Sequence, residues 1–199
     1  MRNMRIRVAA VDDAPAMGLV TVESFLSAHR GQMPDPAFQK RVDEWTPEIS
    51  ARGWARAIAE LADGNPARGV ILVADGDGGI LGLVSGSAAA EDPSGAACEI
   101  GALYVLPRRH GQGIGGSLLC AAANHLAGLG YTELQIGVLS ANRPARAFYE
   151  AMGGIEKGQG AVDEEGYSLA LTIYAWADIT DLNCDGTDSR STAEGTRRT

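Results

Sequence analysis

The amino-acid sequence predicts one α/β domain in which helices cover a mixed β-sheet. Three observations point there. Runs rich in β-branched and aliphatic residues at 70–74, 80–88, 98–106 and 134–139 read as strands. Apolar residues at helical spacing, such as Trp54, Ile58 and Leu61, mark an amphipathic helix before them. The order is helices, then a hairpin, then strand–helix–strand–helix–strand, which is the order of a mixed sheet rather than of separate all-α and all-β parts. A chain of 199 residues can bury roughly 70% of its unfolded surface, so its core needs no disulfide or metal staples.

Each element has a local reason. Residues 4–10 alternate in polarity and form the expected first strand. Asp12 and Asp13 are candidate N-caps for a helix running through 20–28. Residues 30–50 read as irregular. They are interrupted by Pro34, Pro36 and Pro47, and they hold Trp45 and the acidic group Asp35, Asp43, Glu44 and Glu48. A second helix is expected over 50–62 and stops at Gly64-Asn65-Pro66. Asp75-Gly-Asp-Gly-Gly79 suits a hairpin turn between strands 70–74 and 80–88. After a loop at 91–95, strand 98–106 ends at Pro107. A glycine-rich turn at 110–117 leads into helix 118–129, which Gly130 caps. Strand 134–139 follows, then a helix over 143–152 that Asn142 caps and Gly153-Gly154 ends. Strands 155–159 and 167–176 complete a domain spanning 1–177. Residues 178–199 contain no aromatic and few aliphatic residues, and read as a disordered acidic and polar tail.

Composition narrows the function. Lys and Arg total 17 against 25 Asp and Glu, a formal net charge of −8. That balance argues against non-specific binding to nucleic acid or to an anionic membrane. No apolar run reaches the roughly 18 residues of a spanning helix. The apolar stretch after the basic start covers only residues 8–11, whereas a secretory signal needs roughly 7–15. Cys98, Cys120 and Cys184 lie far apart and form no CxxC pair. Cys98 and Cys120 read as small buried hydrophobes, and the chain as cytoplasmic and metal-free.

The sharpest motif is His110-Gly-Gln-Gly-Ile-Gly-Gly-Ser117, between a strand and a helix. Glycines let a backbone wrap closely around a ligand. The first N–H groups of a helix lack internal partners, and the helix dipole there favours negative charge. This geometry suits a diphosphate, and Arg108 and Arg109 add local positive charge. A Walker loop is excluded because Ser117, not Lys, follows Gly116. The dinucleotide pattern matches Gly111, Gly113 and Gly116, but Glu133 opens the next strand instead of closing it, and too few elements follow for a Rossmann sheet.

The segment from Leu103 to Leu119 resembles the acyl-CoA-binding motif of the GNAT family of N-acetyltransferases. That family's Arg/Gln-x-x-Gly-x-Gly/Ala pattern falls on His110, Gly113 and Gly115, with His in place of Arg or Gln. A second family marker is similar to Asn142-Arg-Pro-Ala-Arg-Ala-Phe-Tyr149-Glu-Ala-Met-Gly153. The resemblance extends over residues 4–176. It implies the acyl-CoA N-acyltransferase fold: a predominantly antiparallel sheet of about six to seven strands, a splayed central parallel pair, and about four flanking helices.

The resemblance also implies roles. The backbone of Leu103, Tyr104 and Val105 would pair with a pantetheine arm as an added strand does. The turn residues Gly111, Gln112, Gly113, Ile114, Gly115, Gly116 and Ser117 would hold the diphosphate, with Arg109 and His110 beside them. Asn142 would bond the pantetheine arm, and Arg143 or Arg146 would meet the ribose phosphate. Acetyl-CoA would be the co-substrate, with no metal. An amine of pKa about 10 arrives protonated, so a base must take its proton. Glu99, 11 residues before His110, stands where relatives carry a catalytic glutamate. A strand N–H near Leu103 or Tyr104 would stabilise the oxyanion, and Tyr149 would protonate the departing thiolate.

The acceptor implied is a small-molecule amine in preference to a protein, read by the segment at about residues 20–60, with no nucleic-acid or membrane partner; a homodimer is compatible with the family. The competing class is a non-catalytic acyl-CoA-binding sensor or interaction module. It would keep the glycine turn but would not require Glu99 and Tyr149. A nucleotide-binding oxidoreductase is the third reading, disfavoured by the motif geometry. Phe25, Trp45 and Trp54 read as core, with a wall of the amine pocket as the alternative. The acidic groups Asp43, Glu44, Glu48 and Asp163-Glu164-Glu165 read as solvated faces that could instead attract a cationic amine. His29 reads as a surface residue.

Overall fold

The computed structural model describes residues 4–64, 69–90, 92 and 94–184. Its sheet has seven strands: β1 (Met4–Val8), β2 (Gly69–Gly76), β3 (Gly79–Ala88), β4 (Ala97–Val105), β5 (Glu133–Leu139), β6 (Ile155–Glu164) and β7 (Tyr167–Trp176). Their order across the sheet is β1-β2-β3-β4-β5-β7-β6. All neighbours are antiparallel except β4 and β5, the parallel pair at the centre. The expected mixed sheet with one central parallel pair is therefore present.

Five α-helices flank it among the described residues: α1 (Ala14–His29), α2 (Asp35–Glu44), α3 (Pro47–Asp63), α4 (Ile114–Gly128) and α5 (Arg143–Ala151). This is one more than the sequence suggested, because α2 occupies the segment read as irregular. Its prolines do not forbid it. Pro34 sits at the N-cap and Pro36 in the first turn, where a missing N–H costs no helical bond. The sequence also missed the start of α4, which lies four residues earlier than expected. Gly115 and Gly116 thus belong to the helix, not to the turn before it. Asp13 occupies the N-cap position of α1 but does not cap it. Its carboxylate instead accepts from the Ala10 N–H at 2.8 Å and from both terminal nitrogens of Arg7 at 2.6 and 2.7 Å. The stop expected at Asn65-Pro66 lies outside the described residues.

The two faces of the sheet are packed separately. Leu118, Leu119, Ala122 and Leu126 of α4, with Tyr149 and Met152 from α5 and its end, cover Cys98, Ile100, Leu134 and Ile136. On the opposite face Met17 and Val20 of α1 and Ile58 of α3 cover Val73 and Leu83. A third cluster joins Phe25, Met33 and Ala37 to Phe38, Trp45, Tyr104 and Leu169. It seats α2 beside the β6–β7 hairpin, where Arg41 meets Glu164 at 2.6 Å and Lys40 meets Glu165 at 2.5 Å.

The segment after β7 differs from the expected tail. Ile179 and Leu182 are buried, Asn183 N–H donates to the Met152 carbonyl at 3.0 Å, and Cys184 forms a disulfide with Cys120 of α4. Cys120 is therefore a cross-link rather than a plain buried hydrophobe. Cys98 is free and buried, and burial raises its thiol to about 12. The expected tail beyond residue 184 lies outside the described residues. No described helix is long and apolar enough to cross a membrane.

The disulfide closes a loop with a sequence separation of 64 residues, for which chain entropy gives about 4 kcal/mol of stabilisation. Reduction, or the substitution Cys184→Ser, is expected to lower the denaturation midpoint accordingly. Thermal melts with and without dithiothreitol check this, and coincident melts would show that the bond contributes nothing.

Candidate active site

The central strands part. β4 and β5 pair through Ala97–Glu133, Cys98–Leu134 and Glu99–Gln135, and then no further. The departure coincides with an irregularity on the other side of β4, where Gly86 pairs with Ile100 and Ser85 with Ala102, leaving Gly101 unmatched. A bulge adds twist to its strand and here turns β4 away from β5. Beyond Glu99, β4 pairs with β3 alone among the strands, so main-chain groups of alternate residues on its other edge face the gap. Gly101 and Gly137, one on each strand, are exposed in mid-sheet and put no side chain into the opening.

A cavity of about 890 Å³ runs from this gap to the start of α4. Its walls include Ile100 to Val105 of β4, Ile136 to Val138 of β5, and Arg109, His110, Gly111, Gly113, Ile114, Gly115 and Gly116 at the helix start. Asn142, Phe148 and Tyr149 close one side, and residues from Ser24 to Gln32 the other.

The helix start is a main-chain cradle. Gly111 and Gly113 have φ of +71° and +79°, left-handed conformations that glycine adopts without steric cost. The amides of Ile114, Gly115 and Gly116 have no acceptor within α4. The Ser117 amide does: it donates to the Gly113 carbonyl at 3.0 Å. The His110 amide is likewise used, by the Pro107 carbonyl at 3.2 Å. The cradle thus runs from Gly111 to Gly116, one residue shorter than the sequence suggests. Gln112 and Ser117 do not line the cavity; Gln112 donates from its side chain to the Arg108 carbonyl at 3.4 Å. The His110 ring turns back on its own strand, with Nε2 2.9 Å from the Val105 carbonyl, which also accepts from Ser24 Oγ at 2.9 Å.

Asn142 caps α5, its side-chain oxygen accepting from the Ala145 N–H at 3.2 Å; its amide nitrogen is the half left for a ligand. Tyr149 is buried at the cavity wall and makes no side-chain hydrogen bond among the described residues. Burial raises its phenol well above the usual tyrosine range, so it stays protonated at neutral pH. Arg146 stands apart from the cavity. It donates to the Tyr174 hydroxyl at 3.1 Å and to Glu156 at 3.3 Å, tying α5 to β7 and β6. Glu99 is half-buried at the last paired rung, opposite in direction to Cys98 and Ile100 and one residue before the cavity wall.

The acceptor side holds the larger differences from expectation. Phe25 and Trp45 meet edge to face at 5.0 Å within the third cluster, and Trp54 packs in the second, so these rings are core and not cavity wall. Glu164 and Glu165 are neutralised by Arg41 and Lys40 and offer little field to a cationic amine. Two cavity residues went unrecognised in the sequence. His29 is half-buried, with Nδ1 2.9 Å from the Phe25 carbonyl. Gln32 Oε1 is buried without a hydrogen-bond partner among the described residues. The only sequence signal was the spacing of Phe25 and His29, four apart on α1. No group of His, Cys, Asp and Glu that could hold a metal occurs among the described residues.

Known proteins resemble this chain in sequence and fold. The model of the acetyltransferase (GNAT) family matches residues 27–154. A mycothiol acetyltransferase of Nocardioides sp. is 41% identical over 63 residues, which are 30% of this chain and 21% of that protein. An uncharacterised N-acetyltransferase, YuaI of Bacillus subtilis, is 27% identical over 115 residues, 58% of this chain and 66% of that one. The matches thus span less than two thirds of either relative's length. Among solved structures, a putative acetyltransferase from Salmonella typhimurium with acetyl-CoA superposes with a TM-score of 0.68 at 18% identity, covering 98% of this chain and 99% of that one. An N-acetyltransferase from Staphylococcus aureus gives 0.67 at 19% identity, covering 89% and 99%. With the family model spanning the parted strands, the glycine cradle and the tyrosine helix, this chain belongs to the GNAT family of acetyltransferases.

Proposed function

We propose that the protein transfers an acetyl group from acetyl-CoA to a small-molecule amine by direct attack of the nitrogen. The observation that carries this reading is the gap between β4 and β5 leading from a main-chain phosphate cradle to a buried, protonated tyrosine. The cavity's donor set fits the coenzyme: unpaired amides and Arg109 at one end for phosphate, and open strand edges beyond for the amide-bearing arm. When bound, the coenzyme supplies an activated acyl group and a thiolate leaving group.

The chain's own residues then have distinct tasks. The amides from Gly111 to Gly116 and the side chain of Arg109 hold the diphosphate. Leu103, whose main-chain groups lie on the open edge of β4 while those of Tyr104 point to β3, presents them to the pantetheine arm, and an N–H on that edge stabilises the developing oxyanion. The carbonyl of Val105, already bonded by Ser24 and His110, serves the wall instead. Asn142 turns its amide toward the arm. Tyr149 hands its proton to the leaving sulfur. Glu99, just off the cavity wall, draws the amine's proton outward through water. Arg146 keeps α5 in position and does not touch the phosphate. The catalytic pair Glu99 and Tyr149 favours an enzyme over a binding module.

Isothermal calorimetry with acetyl-CoA tests the reading directly; no heat at millimolar ligand would end it. Gly113→Ala forces a left-handed residue with a Cβ and is expected to destabilise by about 1 kcal/mol and to weaken coenzyme binding. Equal affinity in calorimetry would remove the cradle from the site. Tyr149→Phe is expected to lower kcat by about 10²-fold or more with nearly unchanged coenzyme affinity, measured by thiol release. Glu99→Gln is expected to slow turnover less, since its contact is indirect; an undiminished kcat would take Glu99 out of the mechanism.

A further inference from the structure

Resting on the transferase reading above, we propose that His29 is the cavity-wall group that first takes the proton of the incoming amine, with Gln32 orienting the nitrogen beside it. Both residues come from the end of α1 and the loop after it, and both line the cavity that also holds Tyr104 and Tyr149. The tautomer follows from geometry. A carbonyl can only accept, so the 2.9 Å contact to the Phe25 carbonyl places the proton on Nδ1 and leaves the Nε2 lone pair free. The ring is held by Phe25, whose centroid lies 4.1 Å away. Gln32 Oε1, buried and unpartnered among the described residues, is a carbonyl oxygen in want of an N–H donor. An unmet buried acceptor is costly, and an amine supplies what it lacks.

Burial, against the pull of the nearby charge, keeps the imidazole neutral. Burial lowers its pKa below 6.5, only partly offset by the Phe25 carbonyl and by Glu164 from the β6–β7 hairpin. Glu164 is itself held by Arg41 of α2 at 2.6 Å. Arg41 lies 6.0 Å from the Phe25 ring, and Arg30 stacks on Phe38 at 5.4 Å. Tyr104 faces the site from β4, protonated because burial raises its phenol. A neutral imidazole at pH 7 accepts protons; an imidazolium does not.

The proton count closes. The ammonium gives one proton to His29 Nε2, and the nitrogen lone pair forms the C–N bond. As the C–S bond breaks, Tyr149 protonates the sulfur and regains a proton from the new amide nitrogen. His29 returns its proton to water through the open cleft, toward Glu99, so amide, free thiol and one released proton result.

Histidine ring NMR on the wild-type protein tests the ground state. His29 is expected as the Nδ1–H tautomer with a midpoint below 6.5; a ring charged at pH 7, or protonated on Nε2 alone, overturns the assignment. Thiol-release kinetics with n-propylamine at high concentration as probe test the step. His29→Gln is expected to lower kcat by about 10²-fold and to abolish the acidic limb of the kcat–pH profile. Acetyl-CoA affinity should stay unchanged, and Glu99→Gln should keep the limb. Gln32→Leu is expected to raise KM for the amine more than it lowers kcat. Coenzyme binding together with an unaltered His29→Gln profile overturns this assignment alone. Wild-type protein that binds no acetyl-CoA overturns the transferase reading along with it.

Discussion

The parting of two parallel strands governs the rest of the structure. A sheet gains by pairing every main-chain group, and leaving N–H and C=O groups unpaired in its middle is unfavourable unless water or a ligand meets them. Here the pairing of β4 with β5 stops at Glu99 and Gln135, next to the unmatched Gly101. The gap opens the middle of the sheet to the cavity. It also sets what the flanking helices must do. α4 begins beside the widened end and turns its free amides toward it, while α5 brings Asn142 and Tyr149 to its far side.

Holding α5 in place is the second requirement, and several separate contacts meet it. Arg146 and Glu150 share the Tyr174 hydroxyl, the Trp176 indole N–H donates to the Met152 carbonyl at 2.9 Å, and Asn183 bonds the same carbonyl. Gly154 lets the Trp176 ring approach closely, since a Cβ there would lie 2.9 Å from it. A helix of nine residues with little apolar surface of its own is thereby fixed by β7 and by the segment that the Cys120–Cys184 bond secures. Tyr149 sits on the rigid side of the cavity; His29 and Gln32 sit where α1 gives way to a loop.

How much of this was legible depends on range. The strands, the cradle and the tyrosine helix rest on local patterns: apolar runs, glycines after a strand, and an Asn before a short helix. These were readable because neighbouring residues determine them. The α2 helix was not, because its three nearby prolines resemble loop signals until their position in the first turn is known. The disulfide joins residues whose separation in sequence carries no pairing information, and it tied down part of a segment that composition had marked as disordered. Glu164 and Glu165 looked like a free acidic patch because Lys40 and Arg41 lie more than a hundred residues earlier. His29 looked like a surface residue because the cavity it lines is assembled with residues distant in sequence, Tyr104 and Tyr149 among them. The acceptor side is thus the part of the site built from long-range contacts, and the part a single sequence reveals least.

One feature beside the cradle fixes a length. The Val105 carbonyl has both lone pairs engaged, by the Ser24 hydroxyl and the His110 ring. A ligand laid along β4 from the cradle would therefore find the first outward carbonyl closed and the next one two residues further in, at Leu103. The span from the cradle to that first open carbonyl would be a ruler built into the protein. A thioester carrier with a shortened or lengthened arm would engage one end of that ruler and miss the other.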